Sequence, residues 1–425
     1  QYYHRHVRRT GLNTQRFMAA PWDMRSRRGL PSGKELYAYG LLNKQVIFPY
    51  AGRRLHFWLS RSLFSSDDID TGTRALLTAI ADRLGDLRMK TVLDLGCGSG
   101  IIGVALSALW PDAQVIMSDR DALSVAVSSV NCIENNAGAT KAIGCLGIPQ
   151  QQSPYDLIAS NLPAKAGEPV LRILVQAAAA AASHGHIALV VIRPHQELVA
   201  KELSERTRIL HRIELRAHTV FIAQALTLPP LKDGIDHYQR TIAELRYGHS
   251  DIRLETSWGL PDFDSVPHLL RVAEPFFQHD VLGPRILIWN PGQGLTTCAL
   301  AKNTKELKDL TVGSRDLLQI ATTRHNLKKL AWNSFWLHEP LLSAPQLAAD
   351  DLGYTGVVAV HTDQDGPWWR WLPETITTLL MPAGRLLLVS GSTPVERALR
   401  TLHSMTKLKD RRRHGCRAVL LERRS

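Results

Sequence analysis

Two stretches of the chain share one build, in which an apolar run leads through a glycine-containing turn into a second apolar run. The first is VLDLGCGSGIIGVALS at residues 92–107, and the second is ILIWNPGQGLTTCALA at residues 286–301. A buried strand, a glycine turn and a helix in this order are typical of the first unit of a nucleotide-binding α/β sheet. The chain is therefore predicted to contain this unit twice.

Three further pairs of segments follow the two turns and keep the same order in both halves. Four matching blocks predict an α/β protein of two tandem, doubly wound Rossmann-like domains. The further pairs are IMSDRDALSVAVSSVN (116–131) with TVGSRDLLQIATTRHN (311–326), YDLIAS (155–160) with YTGVVAV (354–360), and HGHIALVVIRP (184–194) with AGRLLLVSGSTP (383–394).

The second copy lacks the groups that would hold a ligand with ribose hydroxyls and a cationic end. It differs from the first at three such positions: Ile288 replaces Asp94, Asn290 replaces Gly96, and Ser314 replaces Asp119. We therefore expect the second domain to be degenerate and to serve as a scaffold or docking domain.

Four segments are predicted along the chain. We expect residues 1–85 to form a basic arm and a small β-rich lead-in, with hairpin-like alternation around Ala51 and Gly52. Residues 86–226 are predicted to form the active domain, and the Pro- and Gly-containing residues 227–237 a linker. Residues 238–425 are predicted to hold a second lead-in, the degenerate domain and a basic tail.

The net charge of +12 is concentrated at the two ends of the chain. Residues 1–50 carry nine Lys and Arg against two Asp and Glu, and residues 401–425 carry eight against two. Such clusters favour a polyanionic partner, and RNA is the obvious one, although solubilising tails have the same composition. The three tryptophans of DGPWWRWL (Trp368, Trp369 and Trp371) could stack on RNA bases or form a packing cluster.

The cellular setting is predicted from cysteine usage and hydropathy. The five cysteines are scattered, odd in number and without a CxxC pair, which favours a reducing cytoplasm over a disulfide framework or a zinc site. No metal-ligand spacing is present, and no run of eighteen apolar residues predicts a membrane span. We therefore expect a cytoplasmic protein with neither metal nor membrane partner.

The glycine turn of the first copy is ambiguous by itself, because residues 98–103 also form a GxGxxG pattern that is weak evidence for NAD. Gly96, Gly98 and Gly100 allow a ligand to approach the backbone closely. Asp94 lies inside the motif, where a carboxylate suits the cationic amino-acid end of S-adenosylmethionine. Asp119, at the end of the next apolar strand, can accept hydrogen bonds from both ribose hydroxyls.

DLGCGSG with the following Asp119 resembles motif I and the acidic residue of class I S-adenosylmethionine-dependent methyltransferases. LFSSDDIDTGTRALL (63–77) is similar to the segment before that motif in the methyltransferase small family, which includes ribosomal RNA guanine-N2 methyltransferases. The resemblance implies that Phe64 and Thr73 lie beside the cofactor, with Asp70 and Gly72. From the residues alone, Phe64 could equally well be an aromatic residue of the hydrophobic core, and Asp70 could be only a helix N-cap.

Asn161, Leu162 and Pro163 occupy the place where the relatives carry their catalytic Asn/Asp-Pro-Pro-aromatic motif. An amide or exocyclic amine is a poor nucleophile, and hydrogen bonds to the Asn161 side chain and the Leu162 carbonyl would position it, while Pro163 stiffens the turn. Ala164 stands where the relatives place a stacking aromatic residue. Leu146 falls where they place a residue beside the adenine.

These observations predict an S-adenosylmethionine-dependent methyltransferase that modifies an amino nitrogen of RNA, foremost a base of ribosomal RNA. Tandem relatives carry the inactive copy first, whereas here it is second. Two alternatives remain open: a methyltransferase acting on a protein amide or a small molecule, favoured by Ala164, and a noncatalytic assembly factor that binds RNA or protein.

Overall fold

A computed structural model describes residues 32–64, 66–227, 235–277, 281–332, 335–337 and 353–424. The predicted basic arm up to residue 31 and most of the predicted linker, residues 228–234, lie outside the described residues. Among the helices of the described ranges, none is long and apolar enough to cross a membrane.

The first half of the chain begins with a short helix and a hairpin and then alternates strands with helices. Its elements are α1 (Gly33–Ala38), β1 (Lys44–Tyr50), β2 (Arg53–Leu59), α2 (Thr71–Leu84), β3 (Thr91–Leu95), α3 (Ile101–Leu109), β4 (Gln114–Asp119), α4 (Ala122–Glu134), β5 (Thr140–Gly144), β6 (Leu157–Asn161), α5 (Glu168–Ala181), β7 (His186–Ile192), α6 (Gln196–Ser204), β8 (Thr207–Glu214) and β9 (His218–Ala225).

The second half repeats this plan. Its elements are β10 (Gln239–Tyr247), β11 (Ser250–Ser257), α7 (His268–Ala273), β12 (Arg285–Trp289), α8 (Leu295–Asn303), β13 (Asp309–Gly313), α9 (Leu317–Lys329), β14 (Phe335–Leu337), β15 (Tyr354–Val360), α10 (Leu372–Leu379), β16 (Leu380–Gly391), α11 (Ser392–Leu399), β17 (Met405–Arg413) and β18 (Cys416–Arg423).

Each half forms a seven-stranded sheet, and the two sheets have the same strand order. The first runs β5-β4-β3-β6-β7-β9-β8, and the second runs β14-β13-β12-β15-β16-β18-β17. In both sheets the first five strands are parallel, the sixth is antiparallel to the fifth, and the seventh is antiparallel to the sixth. The predicted pair of doubly wound sheets is confirmed, and the four matched sequence blocks fall on equivalent strands and helices.

Helices cover both faces of each sheet, which explains the continuous apolar runs of the central strands. In β3, Val92 packs with α2, α3 and α4, whereas the next residue, Leu93, packs with α5 and α6 on the opposite face. Successive strand residues point to opposite faces, so a strand buried on both sides needs apolar residues at every position. The central strands therefore hold the glycine turns between two packed layers.

A hairpin precedes each sheet and is tied to the following glycine turn by an asparagine. β1 and β2 pair around Ala51 and Gly52, both with positive φ, as the alternation predicts. Asn131 of α4 exchanges hydrogen bonds with the backbone of Trp58 in β2 and also donates to the Ser99 carbonyl at 2.8 Å. Asn326 of α9 makes the equivalent bonds to Glu255 and Gln293. The repeat therefore includes its hairpin.

The two halves meet through equivalent residues. The backbone N–H of Ala122 donates to the Arg315 carbonyl, and that of Leu317 donates to the Arg120 carbonyl, each at 3.0 Å. Their neighbours form reciprocal ion pairs, with Arg315 Nε 2.8 Å from Asp121 Oδ1 and Arg120 Nε 3.4 Å from Asp316 Oδ1. Each half thus contributes the same Arg-Asp dipeptide, and the contact has approximate twofold symmetry.

The prediction of a basic tail is wrong for Met405–Arg423. These residues form β17 and β18, and β18 lies between β16 and β17 with Ala418–Leu421 buried. The alternating charge of KLKDRRR belongs to an edge strand whose side chains after Met405 are exposed. Charged residues on an edge strand also discourage pairing with other chains.

Candidate active site

The glycine turn between β3 and α3 leaves an open cradle above the sheet. Gly96, Gly98 and Gly100 all have positive φ, at 71°, 53° and 77°. A Cβ at Gly96 or Gly98 would meet nothing within 4 Å, whereas one at Gly100 would lie 2.8 Å from Ser128 Oγ. Gly100 therefore allows α3 and α4 to approach closely, and the first two glycines leave backbone free for a ligand.

Asp119, the last residue of β4, holds the turn and remains accessible beside it. Its Oδ2 accepts the N–H of Gly98 at 3.0 Å, and its Oδ1 accepts the N–H of Asp121 at 2.9 Å. The Ser124 side chain also hydrogen-bonds to this carboxylate, and the Asp119 side chain is half-buried. Burial raises the pKa of Asp119, and both backbone donors oppose that shift. The carboxylate is thus fixed at the mouth of the cradle.

Asp94 lies beneath the turn and is completely buried. Its Oδ2 accepts the N–H of Gly103 at 2.8 Å, while Oδ1 has no partner among the described residues. Burial raises the pKa of Asp94 to about 7. A buried carboxylate oxygen without a hydrogen bond raises the free energy of the folded state. A hydrogen-bond donor or a cation near Oδ1 would therefore stabilise the carboxylate.

Asn161 ends β6, and its amide is oriented by two acceptors. Nδ2 donates to Asp70 Oδ2 and to Thr73 Oγ1, both at 3.0 Å. The Asp70 carboxylate accepts only, so the amide nitrogen must face it and Oδ1 must point away. No partner for Oδ1 is found among the described residues. The side chain is half-buried and therefore presents a fixed hydrogen-bond acceptor at the strand end.

The next residues form a tight turn. The Leu162 side chain is buried and its N–H donates to the Val190 carbonyl at 3.0 Å, whereas Pro163 accepts from the N–H of Ala166. Among the described residues, the turns and loops provide no backbone N–H that donates to the Leu162 carbonyl. Ala164 begins a short 3₁₀ turn, so no aromatic ring follows Pro163 there.

The segment before α2 approaches this strand end. Asp70 is the N-cap of α2, accepting from the N–H groups of Gly72 and Thr73, so the N-cap interpretation is confirmed. Asp70 also orients Asn161, which gives it a second role. A Cβ at Gly72 would lie 2.9 Å from His218 Cδ2, a contact the sequence did not indicate. Phe64 is 71% exposed, so it is not a core aromatic.

Leu146 lies near the other side of Asp119. The N–H of Cys145 donates to the Asp119 carbonyl at 2.9 Å, which brings residues 145 and 146 to the end of β4. Leu146 is half-buried against the core packed under α5. The structure thus brings Asp94, the three glycines, Asp119, Asn161, Thr73 and Leu146 to one edge of the first sheet.

Two residues that support Asp119 were not predicted from the sequence. Asp121 donates its N–H to Asp119 and caps α4, and its carboxylate pairs with Arg315 of the second half. Burial raises the pKa of Asp121 to about 6, and the Arg315 guanidinium opposes that shift. The sequence match shows that the two Arg-Asp dipeptides are equivalent, but it does not indicate that they contact each other.

The second half keeps the supports of its glycine turn without the carboxylate. Ser314 Oγ accepts the N–H of Asp316 at 3.0 Å, and Gln319 Oε1 accepts that of Gly292 at 3.0 Å. These two side chains share the hydrogen bonds that Asp119 makes alone. A cavity of about 240 Å³ lies beside this turn, so space is retained there, whereas Ser314 replaces the carboxylate at the position of Asp119.

The strand end equivalent to Asn161 is also changed. Val360 pairs with Val389 as Asn161 pairs with Val190, so valine occupies the asparagine position. Pro267 caps α7 where Asp70 caps α2. The whole Asp-Asn hydrogen-bonded pair is therefore missing from the second half. Within the described residues, no cluster of His, Cys, Asp or Glu could hold a metal ion.

Comparison with known proteins matches the first half to a methyltransferase family. Residues 54–214 match the family described as Methyltransferase small domain. The chain is 34% identical over 102 residues to the ribosomal RNA small subunit methyltransferase C of Mannheimia succiniciproducens, covering 24% of this chain and 29% of the relative. It is 30% identical over 134 residues to the large subunit methyltransferase G of a Shewanella species, covering 30% and 34%. The chain thus aligns with about a third of these relatives.

One solved structure resembles both halves together. The T. thermophilus 16S rRNA N2 G1207 methyltransferase, solved with AdoMet and guanosine, covers 91% of this chain and all of its own, with a TM-score of 0.64 and 16% identity. At that identity the likeness concerns the fold, and it extends over both sheets. Residues 54–214, which contain the glycine turn, Asp119 and Asn161, are thus the part of the chain that matches the methyltransferase small family.

Proposed function

We propose that the chain is an S-adenosylmethionine-dependent methyltransferase that modifies an amino nitrogen of RNA, specifically a base of ribosomal RNA. The observation that carries this proposal is the orientation of Asn161. Its amide nitrogen is held by Asp70 and Thr73, which leaves Oδ1 as a fixed acceptor at the strand end. An amine N–H is the donor that such an acceptor selects.

The first half has the groups that S-adenosylmethionine requires. The Asp119 carboxylate at the mouth of the cradle fits as an acceptor for a ribose hydroxyl, and the open turn at Gly96 and Gly98 fits close contact with the backbone. The buried Asp94 carboxylate, whose Oδ1 has no partner among the described residues, would attract the cationic amino-acid end from beneath the turn. Leu146 fits an apolar contact to the adenine. The exposed Phe64 side chain fits a residue that covers the bound cofactor. Bound there, the cofactor would supply an electrophilic methyl group.

The chain's own residues prepare the acceptor nitrogen. Asn161 Oδ1 and the Leu162 carbonyl accept its two N–H groups, which turns the nitrogen lone pair away from both carbonyls. As positive charge develops on the nitrogen, its N–H groups become better donors and both hydrogen bonds strengthen. Pro163 has no N–H to compete for the same acceptors. The turn therefore stabilises the attacking amine more strongly than the resting one.

We propose that the second half is a degenerate copy that does not bind the cofactor, because Ile288, Ser314 and Val360 replace Asp94, Asp119 and Asn161. Its surface would help to orient RNA. The exposed Lys409, Arg411 and Arg413 of β17 and the basic first residues of the chain support contact with phosphates. The reducing environment implied by five free cysteines fits work in the cytoplasm.

The test is transfer of label from S-adenosylmethionine to total RNA and to total protein, each taken from a cell that lacks this chain. Label in ribosomal RNA, transferred about 100- to 1000-fold more slowly by Asn161→Ala, is the expected result. Ala164 in place of a stacking aromatic favours the second candidate, a protein amide. Label found in protein alone would establish that candidate and contradict ours. No transfer by a protein that binds RNA would favour an assembly factor.

A further inference from the structure

A cleft of about 480 Å³ lies between the two halves and is separate from both glycine turns. One wall comes from the hairpin region of the first half, with Asn43, Arg61 and Ser62. The other comes from the second half, with Arg370 and Arg397 among its residues. We refer to it as the interdomain cleft.

Close contacts fix the walls of the interdomain cleft. A Cβ at Gly40 would lie 2.7 Å from Pro367 Cγ, and one at Gly366 would lie 3.0 Å from Ser62 Oγ. Both glycines have positive φ, so any other residue would be strained as well as crowded there. Arg315 donates to the Ser62 carbonyl at 3.4 Å and to the Gln364 carbonyl at 3.1 Å. The cleft is therefore a built feature of the paired halves.

The cleft carries unbalanced positive charge. Arg61, Arg370 and Arg397 line it and are all exposed, against the single carboxylate of Asp363. None of the three forms an ion pair with any residue that the structure describes. Other arginines of this chain, such as Arg417 with Asp410 at 2.7 Å, are paired. Guanidinium groups that line one cleft repel one another unless an anion lies between them, and guanidinium matches phosphate geometry well.

An aromatic ring stands among these arginines. Trp368 and Trp371 are buried at 1% and 4% exposure, so they form the packing cluster that the sequence allowed. Trp369 is half-buried, packs edge-on against Trp368, and has Arg397 5.1 Å from its ring centre. Basic residues around a partly exposed aromatic ring are the usual means of holding single-stranded RNA, through phosphate contacts and base stacking.

The interdomain cleft lies within reach of the candidate active site. Ser62 in its wall is eight residues before Asp70, which holds Asn161. Even fully extended, eight residues span at most about 28 Å. The exposed Phe64 lies on this connecting segment. A strand of RNA held in the cleft could therefore extend to the acceptor position at Asn161.

We propose that the interdomain cleft binds the phosphates and one base of single-stranded RNA next to the nucleotide that is methylated. This inference rests on the proposed function, because it names the surface by which the RNA substrate is held. It also gives the second half a direct role, since two of the three arginines and the tryptophan come from that half.

The test compares RNA binding by three proteins, using a short fluorescently labelled single-stranded RNA of mixed sequence over a range of salt concentrations. The cleft variant carries Arg61→Gln, Arg370→Gln and Arg397→Gln. The matched control carries Lys201→Gln, Arg208→Gln and Arg216→Gln, which removes equal charge from exposed positions on α6, β8 and the turn after it that form no ion pair with a described residue. Thermal unfolding and S-adenosylmethionine affinity are measured on the same samples.

The cleft variant should bind the RNA at least tenfold more weakly, and the magnitude of its log–log salt slope should fall by about 2, as expected for three lost contacts to single-stranded phosphates. The control should keep the affinity within about threefold, and both variants should keep their cofactor affinity. Trp369→Leu should weaken RNA binding by about five- to a hundredfold with little change in salt slope.

Equal losses in the cleft variant and the control would overturn the inference, because they would reflect net charge alone. Polyglutamate competing as well as RNA would also overturn it, by favouring an acidic protein partner. Methyl transfer to RNA by the wild type, combined with full RNA affinity in the cleft variant, would refute the cleft and leave the proposed function standing. RNA binding that is weakened in the cleft variant as expected, combined with no methyl transfer to RNA by the wild type, would refute the proposed function and leave the cleft as an RNA-binding site.

Discussion

Asn161 illustrates how much depends on the partners of one amide. Asp70 and Thr73 take both hydrogens that Nδ2 can offer in this setting, so the amide cannot rotate without losing two hydrogen bonds. Asp70 spends its other oxygen on the N-terminus of α2. The acceptor Oδ1 is therefore held by the helix itself, and its position depends on residues far apart in sequence.

Replacing Asn161 by alanine should lower kcat by about 100- to 1000-fold, because the acceptor that positions the amine is lost. The affinity for S-adenosylmethionine should stay within about twofold of wild type, since no cofactor contact is assigned to this side chain. Single-turnover methyl transfer and calorimetry measure the two quantities. A large loss of cofactor affinity with unchanged kcat would contradict the role given to Asn161.

Asp94 provides a test by pH. Burial raises its pKa from 3.8 to about 7, so the folded protein binds this proton more tightly than the unfolded chain. The stabilisation is complete below about pH 4 and is lost as pH rises to about 7. Without cofactor, Asp94→Asn should therefore raise the Tm relative to wild type at pH 8 and raise it less at pH 5, while weakening cofactor binding.

The exposed Asp112→Asn is the matched control for this substitution and should leave the pH dependence of Tm unchanged. A Tm difference between Asp94→Asn and wild type that is the same at both pH values would show that the Asp94 carboxyl does not titrate as inferred. Such a trade of stability for ligand affinity is common at binding sites.

At the scale of elements, the two glycine turns form a natural comparison. Gly98 and Gly292 have φ of 53° and 58°, and a Cβ at either would meet nothing within 4 Å. The turns therefore have the same conformation, and they differ in the side chains around them. Asp119 supports one turn, whereas Ser314 and Gln319 support the other.

Gly98→Ala and Gly292→Ala should each destabilise the protein by about 1 kcal/mol, the cost of the left-handed conformation for alanine. Only Gly98→Ala should weaken S-adenosylmethionine binding, because its methyl group enters the cradle that the cofactor would occupy. Chemical denaturation and calorimetry measure the two effects. If Gly292→Ala weakened cofactor binding and Gly98→Ala did not, the cradles would have been assigned in the wrong order.

Sequence alone predicted the elements whose pattern is local or repeated. The glycine turns, the hairpin at Ala51 and four strands of each sheet follow from short apolar runs, and the turns and strands recur in the same order in both halves. The basic segment after residue 401 was misjudged as a tail because β17 is exposed along its length and has the composition of a solvated segment. Only its pairing with the buried β18 makes it a strand.

At the scale of the whole molecule, residues beside Asp119 join the two halves. Arg315 pairs with Asp121, whose N–H is bonded to Asp119. The symmetric pair, Arg120 with Asp316, lies beside Ser314. These contacts were not predicted, because sequence reasoning placed the matching dipeptides within each copy and gave no sign that they meet. The second half thereby supports Asp119 of the first half.

Arg315→Gln should weaken S-adenosylmethionine binding by about three- to tenfold, because Asp121 loses the partner that keeps its loop in place under Asp119. Asp316→Asn removes the symmetric ion pair yet retains a capping side chain for α9, so it should leave cofactor affinity unchanged. Both variants should lower the Tm. If both weakened cofactor binding equally, the effect would come from general loosening of the interface.

The most direct test of the central claim is the number of S-adenosylmethionine molecules bound per chain, measured by calorimetry on wild type, Asp119→Ala and Ser314→Ala. We predict one molecule per chain, binding abolished by Asp119→Ala, and binding unaffected by Ser314→Ala. Two molecules per chain, binding that survives Asp119→Ala, or binding lost with Ser314→Ala would contradict the assignment of the cofactor to the first half alone.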